Sequence, residues 1–198
     1  NKNKMETLFN GGVLKMGNVF ESATSVLKSF IDNEPKTPLH VGEVMACWTY
    51  LASLESSISF EQQGLNMTTD NDVITMLNDA IKMCNGQVKR LKEFLLHEGV
   101  PLPPAPEPKP DSNPNDVPLG VKLTDNEIVN SVSIKVAGAS VKCATSQAES
   151  IRNDVSLMFL EFQAEHVAFG ATLKMLMRNK GWIKNPPFYL PPGLPENE

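Results

Sequence analysis

Four side chains of this sequence, Glu55, Lys135, Glu165 and His166, are of the types from which buried polar networks and metal sites are built. Carboxylates and imidazoles bind transition metals, and the same groups hydrogen-bond to lysine. Glu55, Gln62 and His166 interrupt the apolar stripes of two predicted helices, where an unpaired carboxylate is costly to bury. We therefore expect Glu55 to have a partner, either in a hydrogen-bonded layer or at a site for iron, manganese or zinc.

The predicted helices bring these groups to one depth. If the first and last bundle helices run parallel and the other two run antiparallel to them, a count of about 15 residues from the relevant ends aligns Glu55, Cys84, Lys135 and His166. A Glu–His or Glu–Lys network that fixes the helix register is the favoured interpretation of this layer. A mononuclear or degenerate metal site, in which Glu55, Glu165 and His166 are ligands, is the alternative.

Two-metal chemistry needs more ligands than the sequence offers. Bundles with paired iron or manganese ions use a Glu from each of two helices and Glu-x-x-His from each of the other two. No Glu-x-x-His occurs in this chain. Glu165 and His166 are adjacent in sequence and lie about 100° apart on a helix. The predicted helix at about residues 70–98 offers only Gln87 near the expected depth. The sequence therefore disfavours a paired-metal oxidase or catalase.

A second polar group is predicted at one end of the bundle. His40 and Glu43 stand one turn apart at the start of the first bundle helix, and His97 and Glu98 stand at the end of its antiparallel neighbour. Exposed polar residues are common at helix ends, and the helix dipole alone favours Glu43 near an N-terminus. Metal binding by these four residues is therefore the weaker of the two metal hypotheses.

Hydrophobic periodicity predicts the elements that position these side chains. Apolar residues recur at spacings of three and four along four segments, which indicates amphipathic helices. Thr124 and Glu127 form a capping box, while Gly99 and Gly181 are suited to end helices. The predicted bundle occupies residues 37–184, with helices at about 39–66, 70–98, 124–150 and 152–179.

A proline-rich segment determines the expected topology. Residues 100–123 carry prolines at close intervals, so this segment should be extended and unable to form a helix. Its length is sufficient to run from one end of a bundle to the other. We therefore predict an all-α, ferritin-like four-helix bundle with one long crossover between its second and third helices.

Two appendages flank the predicted bundle. Residues 1–36 comprise an amphipathic helix and a linker, and this helix needs a surface on which to bury its apolar stripe. We expect that surface to be the bundle itself, a partner or a membrane surface. Residues 185–198 form a proline-rich tail, and we expect Trp182, Phe188 and Tyr189 to fold back over one end of the bundle.

Composition excludes several classes of function. The formal net charge is −5 and the charges are interspersed, so a nucleic-acid partner is not expected. No apolar run reaches the roughly 18 residues of a membrane span. Three widely spaced cysteines, Cys47, Cys84 and Cys143, indicate buried, reduced thiols and a cytoplasmic location.

Three segments carry a resemblance to a known family. They are PLHVGEV at 38–44 followed by WTY at 48–50, EGVPLPPAP at 98–106, and KGWIKNPP at 180–187. Together they resemble an uncharacterised family of spore-forming bacilli that is related to spore coat protein F and placed among the ferritin-like bundles. The resemblance covers roughly residues 37–192. It implies the same bundle and a spore association, and it brings no catalytic residues with it.

The sequence therefore favours a non-enzymatic structural or interaction protein, associated with sporulation or the spore coat and acting as a homo-oligomer. Three features support this preference: the helices of the predicted bundle are well defined, the ligands are too few for a two-metal centre, and an additional amphipathic helix precedes the bundle. The alternative is a metal-binding protein or metal-dependent oxidoreductase of the ferritin-like class.

Overall fold

The computed structural model describes residues 36–189 together with Ser25. This part of the chain contains four α-helices and no strand: α1 (Val41–Leu65), α2 (Asn71–His97), α3 (Asp125–Glu149) and α4 (Asn153–Asn179). Apart from Ser25, the predicted N-terminal helix lies outside the described residues, as does the end of the tail from residue 190. No helix between residues 36 and 189 is both long and apolar enough to cross a bilayer.

The helices form two antiparallel hairpins, α1 with α2 and α3 with α4, which dock so that α1 lies beside α3 and α2 beside α4. Helices α1 and α4 are diagonally opposed. Both begin at the same end of the bundle, as shown by the hydrogen bond of 2.8 Å that the Glu43 carboxylate accepts from the backbone N–H of Arg152. This arrangement confirms the predicted four-helix bundle with a single long crossover.

Local signals define the helix ends. His40 and Glu43 form a capping box at α1: Gly42 N–H donates to His40 Nδ1 at 3.1 Å, and His40 N–H donates to Glu43 Oε2 at 2.8 Å. Gly99 and Gly181 follow α2 and α4 with φ of 73° and 72°, a left-handed conformation that other residues adopt at a cost. The two glycines end their helices as the sequence predicts, whereas the capping box of His40 and Glu43 was not predicted.

The crossover lies along α1 and is held there by side chains of that helix. Trp48 Nε1 donates to the carbonyl of Pro101 at 3.1 Å, and Gln62 Oε1 accepts from Lys109 N–H at 3.1 Å. Asn66 bonds to two further backbone groups of the crossover. Gln62 therefore faces the crossover rather than the centre of the bundle, and the stripe predicted for α1 is rotated from the face that is actually buried.

The apolar core has two clusters at opposite ends of the bundle. The first includes Tyr50, Leu51, Leu91, Phe159 and Phe162. The second includes Val73, Leu77, Ile128, Val132 and Leu173. Polar side chains interrupt the core between the clusters.

The tail covers less of the bundle than expected. Trp182 packs against the second cluster, as predicted. Phe188 and Tyr189 do not, because they are 95% and 81% exposed. The expectation that all three aromatic residues cover the bundle end is therefore wrong for the last two: once Gly181 has ended α4, the prolines at 186 and 187 keep the chain extended and away from the core.

Candidate functional site

A hydrogen-bonded chain crosses the interior of the bundle from α4 to α1, on to α2 and back to α4. Tyr50 Oη lies 2.7 Å from His166 Nε2 and 2.8 Å from Gln87 Oε1. Gln87 Nε2 then donates to Glu165 Oε2 at 2.7 Å. Tyr50, Gln87 and His166 are at most 2% exposed, whereas Glu165 lies at the surface. We call these four residues the Tyr50–Glu165 chain.

The order of donors and acceptors in this hydrogen-bonded chain determines the tautomer of His166. A carboxylate only accepts, so Gln87 must direct its NH₂ group at Glu165 and its carbonyl at Tyr50. The single proton of Tyr50 is then donated to Gln87, and His166 must donate its Nε2 proton to Tyr50. This leaves the Nδ1 lone pair of His166 free, in agreement with the absence of any hydrogen-bond partner at that buried atom in the structure.

Burial keeps the imidazole and the phenol of this chain uncharged. Desolvation lowers the pKa of His166 to about 4 and raises the pKa of Tyr50 well above its ordinary value. At neutral pH the imidazole and the phenol are therefore both uncharged, and a hydrogen bond rather than an ion pair joins Tyr50 to His166.

Sequence reasoning placed Glu55 in the wrong contact. Its Oε1 atom lies 2.7 Å from Nζ of Lys92 on α2, beside the crossover. The expected Glu55–His166 or Glu55–Lys135 pair does not form, because the buried face of α1 follows Tyr50, Leu54 and Glu61 rather than the stripe through Gln62. Of the four predicted residues, the structure joins only Glu165 and His166 in one network.

Glu61 and Lys135 form a second polar group that sequence reasoning paired differently. Glu61 is 3% exposed, its Oε2 atom has no partner, and burial raises its pKa to about 7. Lys135 lies nearby on α3 with Nζ 3.7 Å above the ring of Phe60, and burial lowers its pKa. Glu61 follows Tyr50 by 11 residues, about three helical turns, and this spacing was the available signal that both share a face.

The three cysteines are free and buried, as predicted. Burial raises the pKa of Cys143 to about 11 and that of Cys47 to about 12, and it raises the pKa of Cys84 further. Since the thiolate is the nucleophile and the metal ligand, these thiols are inert at neutral pH. They act as small apolar side chains in the core.

A cavity of about 350 Å³ opens beside the Tyr50–Glu165 chain, between α1 and α3 and above α2. Polar side chains on its wall include those of Tyr50, Glu61, Lys135 and His166. Gly138 also lines it, and the absence of a side chain there contributes to the open space. The cavity therefore contacts both polar groups of the interior.

The predicted cluster at the bundle end surrounds an arginine. Arg152, at the start of α4, makes two hydrogen bonds of 2.8 Å to the Glu98 carboxylate and two more to Asp154. Glu43 joins them by accepting from the backbone of Ile151 and Arg152.

The side-chain hydrogen bonds of the arginine go to Thr37, Glu98 and Asp154, not to the two histidines predicted for this cluster. His40 caps α1 and His97 is exposed. A guanidinium therefore stands where the weaker metal hypothesis would put a cation. Sequence reasoning used Arg152 only as a helix boundary, although a buried arginine needs carboxylate partners.

The interior donor set does not fit the paired-metal centre that ferritin-like bundles can hold. Such a centre needs four carboxylates and two imidazoles, whereas the bundle centre offers one imidazole whose Nε2 proton is engaged with Tyr50. Glu165 is bonded to an amide, and Glu61 has a lysine nearby. Within residues 36–189, no three His, Cys, Asp or Glu side chains come together in a metal-binding arrangement.

Comparison with known proteins identifies relatives over most of the chain. The model of a family described as "Protein of unknown function (DUF3231)" matches residues 29–193. The uncharacterised protein YvdQ of Bacillus subtilis (strain 168) is 33% identical over 158 residues, which are 80% of this chain and 93% of YvdQ. A candidate spore coat protein of Bacillus halodurans C-125 has a crystal structure that superposes with a TM-score of 0.76 at 38% identity, over 78% of this chain and 97% of that chain.

More distant structures share the fold alone. One is a two-domain protein from Anabaena variabilis with DJ-1/ThiJ/PfpI-like and ferritin-like domains: the TM-score is 0.57 at 13% identity, over 81% of this chain and 42% of that chain. Another is a DUF305 fragment from Deinococcus radiodurans, with a TM-score of 0.58 at 13% identity, over 72% of this chain and 99% of that chain. The family model and the Bacillus relatives confirm the resemblance to a family that includes a candidate spore coat protein. The Anabaena structure confirms the ferritin-like architecture.

Proposed function

Because the chain belongs to the family of proteins of unknown function DUF3231, one relative of which is a candidate spore coat protein, we propose a non-enzymatic structural or interaction role in the bacterial spore. The extent of the match supports the transfer: 97% of the Bacillus halodurans chain superposes on this one. At 38% identity the two proteins share a family as well as a fold.

The observation that carries the non-enzymatic part is the uncharged interior of the Tyr50–Glu165 chain. Ferritin-like bundles that perform redox chemistry place charged metal ligands at mid-depth. Here the same region is occupied by a tyrosine, a glutamine and a neutral histidine that bond mainly to one another. Such a chain fixes helix register and rigidity, which suits a building block.

Self-association is the second part of the proposal, and we assign it to the outer face of the α3–α4 hairpin. Ile134, Val141 and Val167 on these helices are 74%, 66% and 60% exposed. Ile134 and Val141 are seven residues apart on α3 and therefore share a face of that helix, and exposed apolar side chains on one face favour an interaction site. A second copy of the chain is the partner expected in a coat, which is built by repeated association.

Localisation tests the spore association. The full chain is expressed with a small epitope tag in a Bacillus subtilis strain lacking YvdQ, under the promoter of that gene, and spores are separated from mother-cell lysate. We expect the tagged chain in the alkaline coat extract of washed spores, while a fluorescent protein under the same promoter stays in the lysate. Recovery of both proteins in the lysate alone contradicts the spore role.

Light scattering coupled to gel filtration tests self-association. We expect the full chain to elute as an oligomer and the double variant Ile134→Lys/Val141→Lys to elute as a smaller species, because two charges on the apolar face oppose its burial. Met45→Lys is the matched control, since Met45 is 60% exposed on α1, away from that face. A monomeric wild-type chain contradicts the oligomer.

Metal binding remains the alternative, and the free lone pair at His166 Nδ1 is the observation that favours it. Of the three ligands that the sequence predicts, Glu165 and His166 are the ones to test first, because Glu55 is paired with Lys92 elsewhere. Elemental analysis of chain purified without chelators decides the question. Less than about a tenth of an equivalent of iron, manganese or zinc excludes a resident metal, since a functional site should retain its ion.

A further inference from the structure

The cavity between α1 and α3 is an elongated, mostly apolar space. Its wall includes Tyr50 and Glu61, which are 11 residues apart on α1. At 1.5 Å per residue, the two positions are separated by about 16 Å along the helix axis. Leu54, Met83 and Val136 supply apolar surface along it. A volume of about 350 Å³ falls in the range of small-molecule sites.

Several polar groups on this wall present acceptors, and those of His166, Thr49 and Ser53 have their own protons engaged elsewhere. His166 gives its Nε2 proton to Tyr50, which leaves the Nδ1 lone pair without a partner in a side chain that is 2% exposed. The Glu61 Oε2 atom, in a side chain that is 3% exposed, also has no partner. Thr49 and Ser53 donate their hydroxyl protons to carbonyls of their own helix, which leaves oxygen lone pairs.

Unpartnered buried acceptors destabilise the fold unless something donates to them. An occupant of the cavity must therefore carry at least one hydrogen-bond donor. Water can supply a donor, but most of the wall is apolar and favours an occupant with an apolar body. The wall thus selects for an amphipathic molecule.

The two lysines of the wall determine the charge of the occupant. Lys135 and Lys142 both line the cavity and disfavour a cationic amine. A carboxylate would complement the lysines, but it would place its oxygens against the Nδ1 lone pair of His166, which has no proton to give. A hydroxyl group satisfies both sets, because it donates a proton to an acceptor and receives one from an ammonium group.

We propose that this cavity binds a small, neutral, mostly apolar alcohol or phenol, whose hydroxyl group donates to His166 Nδ1 or to Glu61. The proposal is independent of the spore role, because localisation and oligomeric state do not depend on an occupied cavity.

A matched pair of probes tests the hydroxyl requirement. Titration calorimetry of the full chain with 4-propylphenol and with propylbenzene compares two molecules that differ by one hydroxyl group. We expect 4-propylphenol to bind roughly tenfold or more tightly than propylbenzene, since it satisfies a buried acceptor that the hydrocarbon leaves unpaired. Equal affinities, or no binding of 4-propylphenol up to millimolar concentration, overturn the proposal.

A pair of variants tests the location. A Cβ atom at Gly138, on the cavity wall, meets nothing within 4 Å, and the same holds at Gly86, which is outside the wall. Both glycines lie inside helices, so leucine is compatible with the backbone at either position. We expect Gly138→Leu to weaken binding of 4-propylphenol at least tenfold and Gly86→Leu to leave it unchanged. Unchanged binding in a folded Gly138→Leu variant overturns the location.

A second measurement avoids dependence on the folding of a variant. In protein labelled at the methionine methyl groups, we expect nuclear Overhauser contacts between the ring protons of 4-propylphenol and Met83, which lines the cavity. Met45 is the internal control, because it is exposed on α1 and outside the wall. Contacts to Met45 without contacts to Met83 place the probe elsewhere and contradict the proposal.

Discussion

The phenolic oxygen of Tyr50 lies 2.7 Å from Nε2 of His166 and so connects α1 with α4, the two parallel helices on a diagonal of the bundle. Diagonal helices make little backbone contact, so direct connections between them depend on long side chains. Because the same hydroxyl also bonds to Gln87, one oxygen atom joins three of the four helices.

Removal of that oxygen should destabilise the protein without disturbing its packing. Tyr50→Phe keeps the ring, which packs against Phe159 and Phe162, and leaves His166 Nε2 and Gln87 Oε1 unpartnered. We expect a loss of about 1–3 kcal/mol in the free energy of unfolding, measured by urea denaturation. The control Tyr189→Phe, at a position that is 81% exposed, should change it by less than about 0.5 kcal/mol. Equal effects would show that the buried hydroxyl is energetically unimportant.

Arg152 should be the most sensitive charged residue at its end of the bundle. Its guanidinium group is 5% exposed and makes paired hydrogen bonds to Glu98. Arg152→Met leaves the Glu98 and Asp154 carboxylates without their main partner, and we expect a loss of about 3 kcal/mol by chemical denaturation. Arg152→Lys should recover part of this loss, since lysine retains the charge but not the two-pronged geometry.

The effect of Arg152 should also depend on pH. Arg152 holds the pKa values of Glu98 and Asp154 below the ordinary 4.5 and 3.8, so the charged carboxylates favour the folded state. This stabilisation is present above those ordinary values and is lost as the pH falls through the lower folded-state values. Wild type and Arg152→Met should therefore converge in stability toward pH 2. Arg178→Met, an exposed change in the last turn of α4, should cost less than about 1 kcal/mol at every pH.

Glu61 should give the protein an opposite pH dependence. Burial raises its pKa from 4.5 to about 7, so the folded state holds a proton that the unfolded state releases. The stabilisation of the fold by this proton has its full value below pH 4.5 and decreases as the pH rises from 4.5 to 7. We expect Glu61→Gln to match wild type near pH 4.5 and to exceed its stability by about 2–3 kcal/mol at pH 8. A constant difference between pH 4.5 and pH 8 would contradict a buried, proton-binding Glu61.

His166 should remain neutral until the solution is acidic. Its pKa is lowered from 6.5 to about 4 by burial, so its contribution to stability is complete above pH 6.5 and falls as the pH approaches 4. Proton NMR should show one imidazole signal with a midpoint near pH 4, which His166→Gln removes. A midpoint at 6.5 for that signal would show that the ring is solvated and that its tautomer is not fixed by Tyr50.

Much of the fold was predictable because its determinants are local. The capping box at Thr124 and the glycines at 99 and 181 are read directly from neighbouring residues, and the helices begin and end within about two residues of the expected positions. The prolines between α2 and α3 determined the crossover, since they exclude a helix there.

The candidate site was less predictable because it depends on how each helix is rotated about its axis. A stripe through Trp48, Glu55 and Gln62 is one of two neighbouring faces of α1 with apolar character. The crossover covers that stripe through its bonds to Trp48 and Gln62, so the face through Tyr50 and Glu61 turns inward. One rotated helix was enough to replace Glu55 with Tyr50 as the partner of His166.

Arg152 was missed for a different reason. Its partners Glu98 and Asp154 come from two chain regions, one of them 54 residues away, and no periodic pattern connects them. Only the three-dimensional end of the bundle brings Glu43, Glu98 and Arg152 together.

The attachment of the crossover to α1 also determines which helices are neighbours. Two helical hairpins of similar length can dock with either helix of the second hairpin beside α1. A connection that leaves α2, follows α1 and is held at Trp48 and Asn66 delivers α3 to the side of α1 and leaves α4 on the diagonal. A shortened crossover that lost those attachments would permit the other pairing, with α4 beside α1, and the present contact between the Tyr50 hydroxyl and the imidazole of His166 across the diagonal would then be lost.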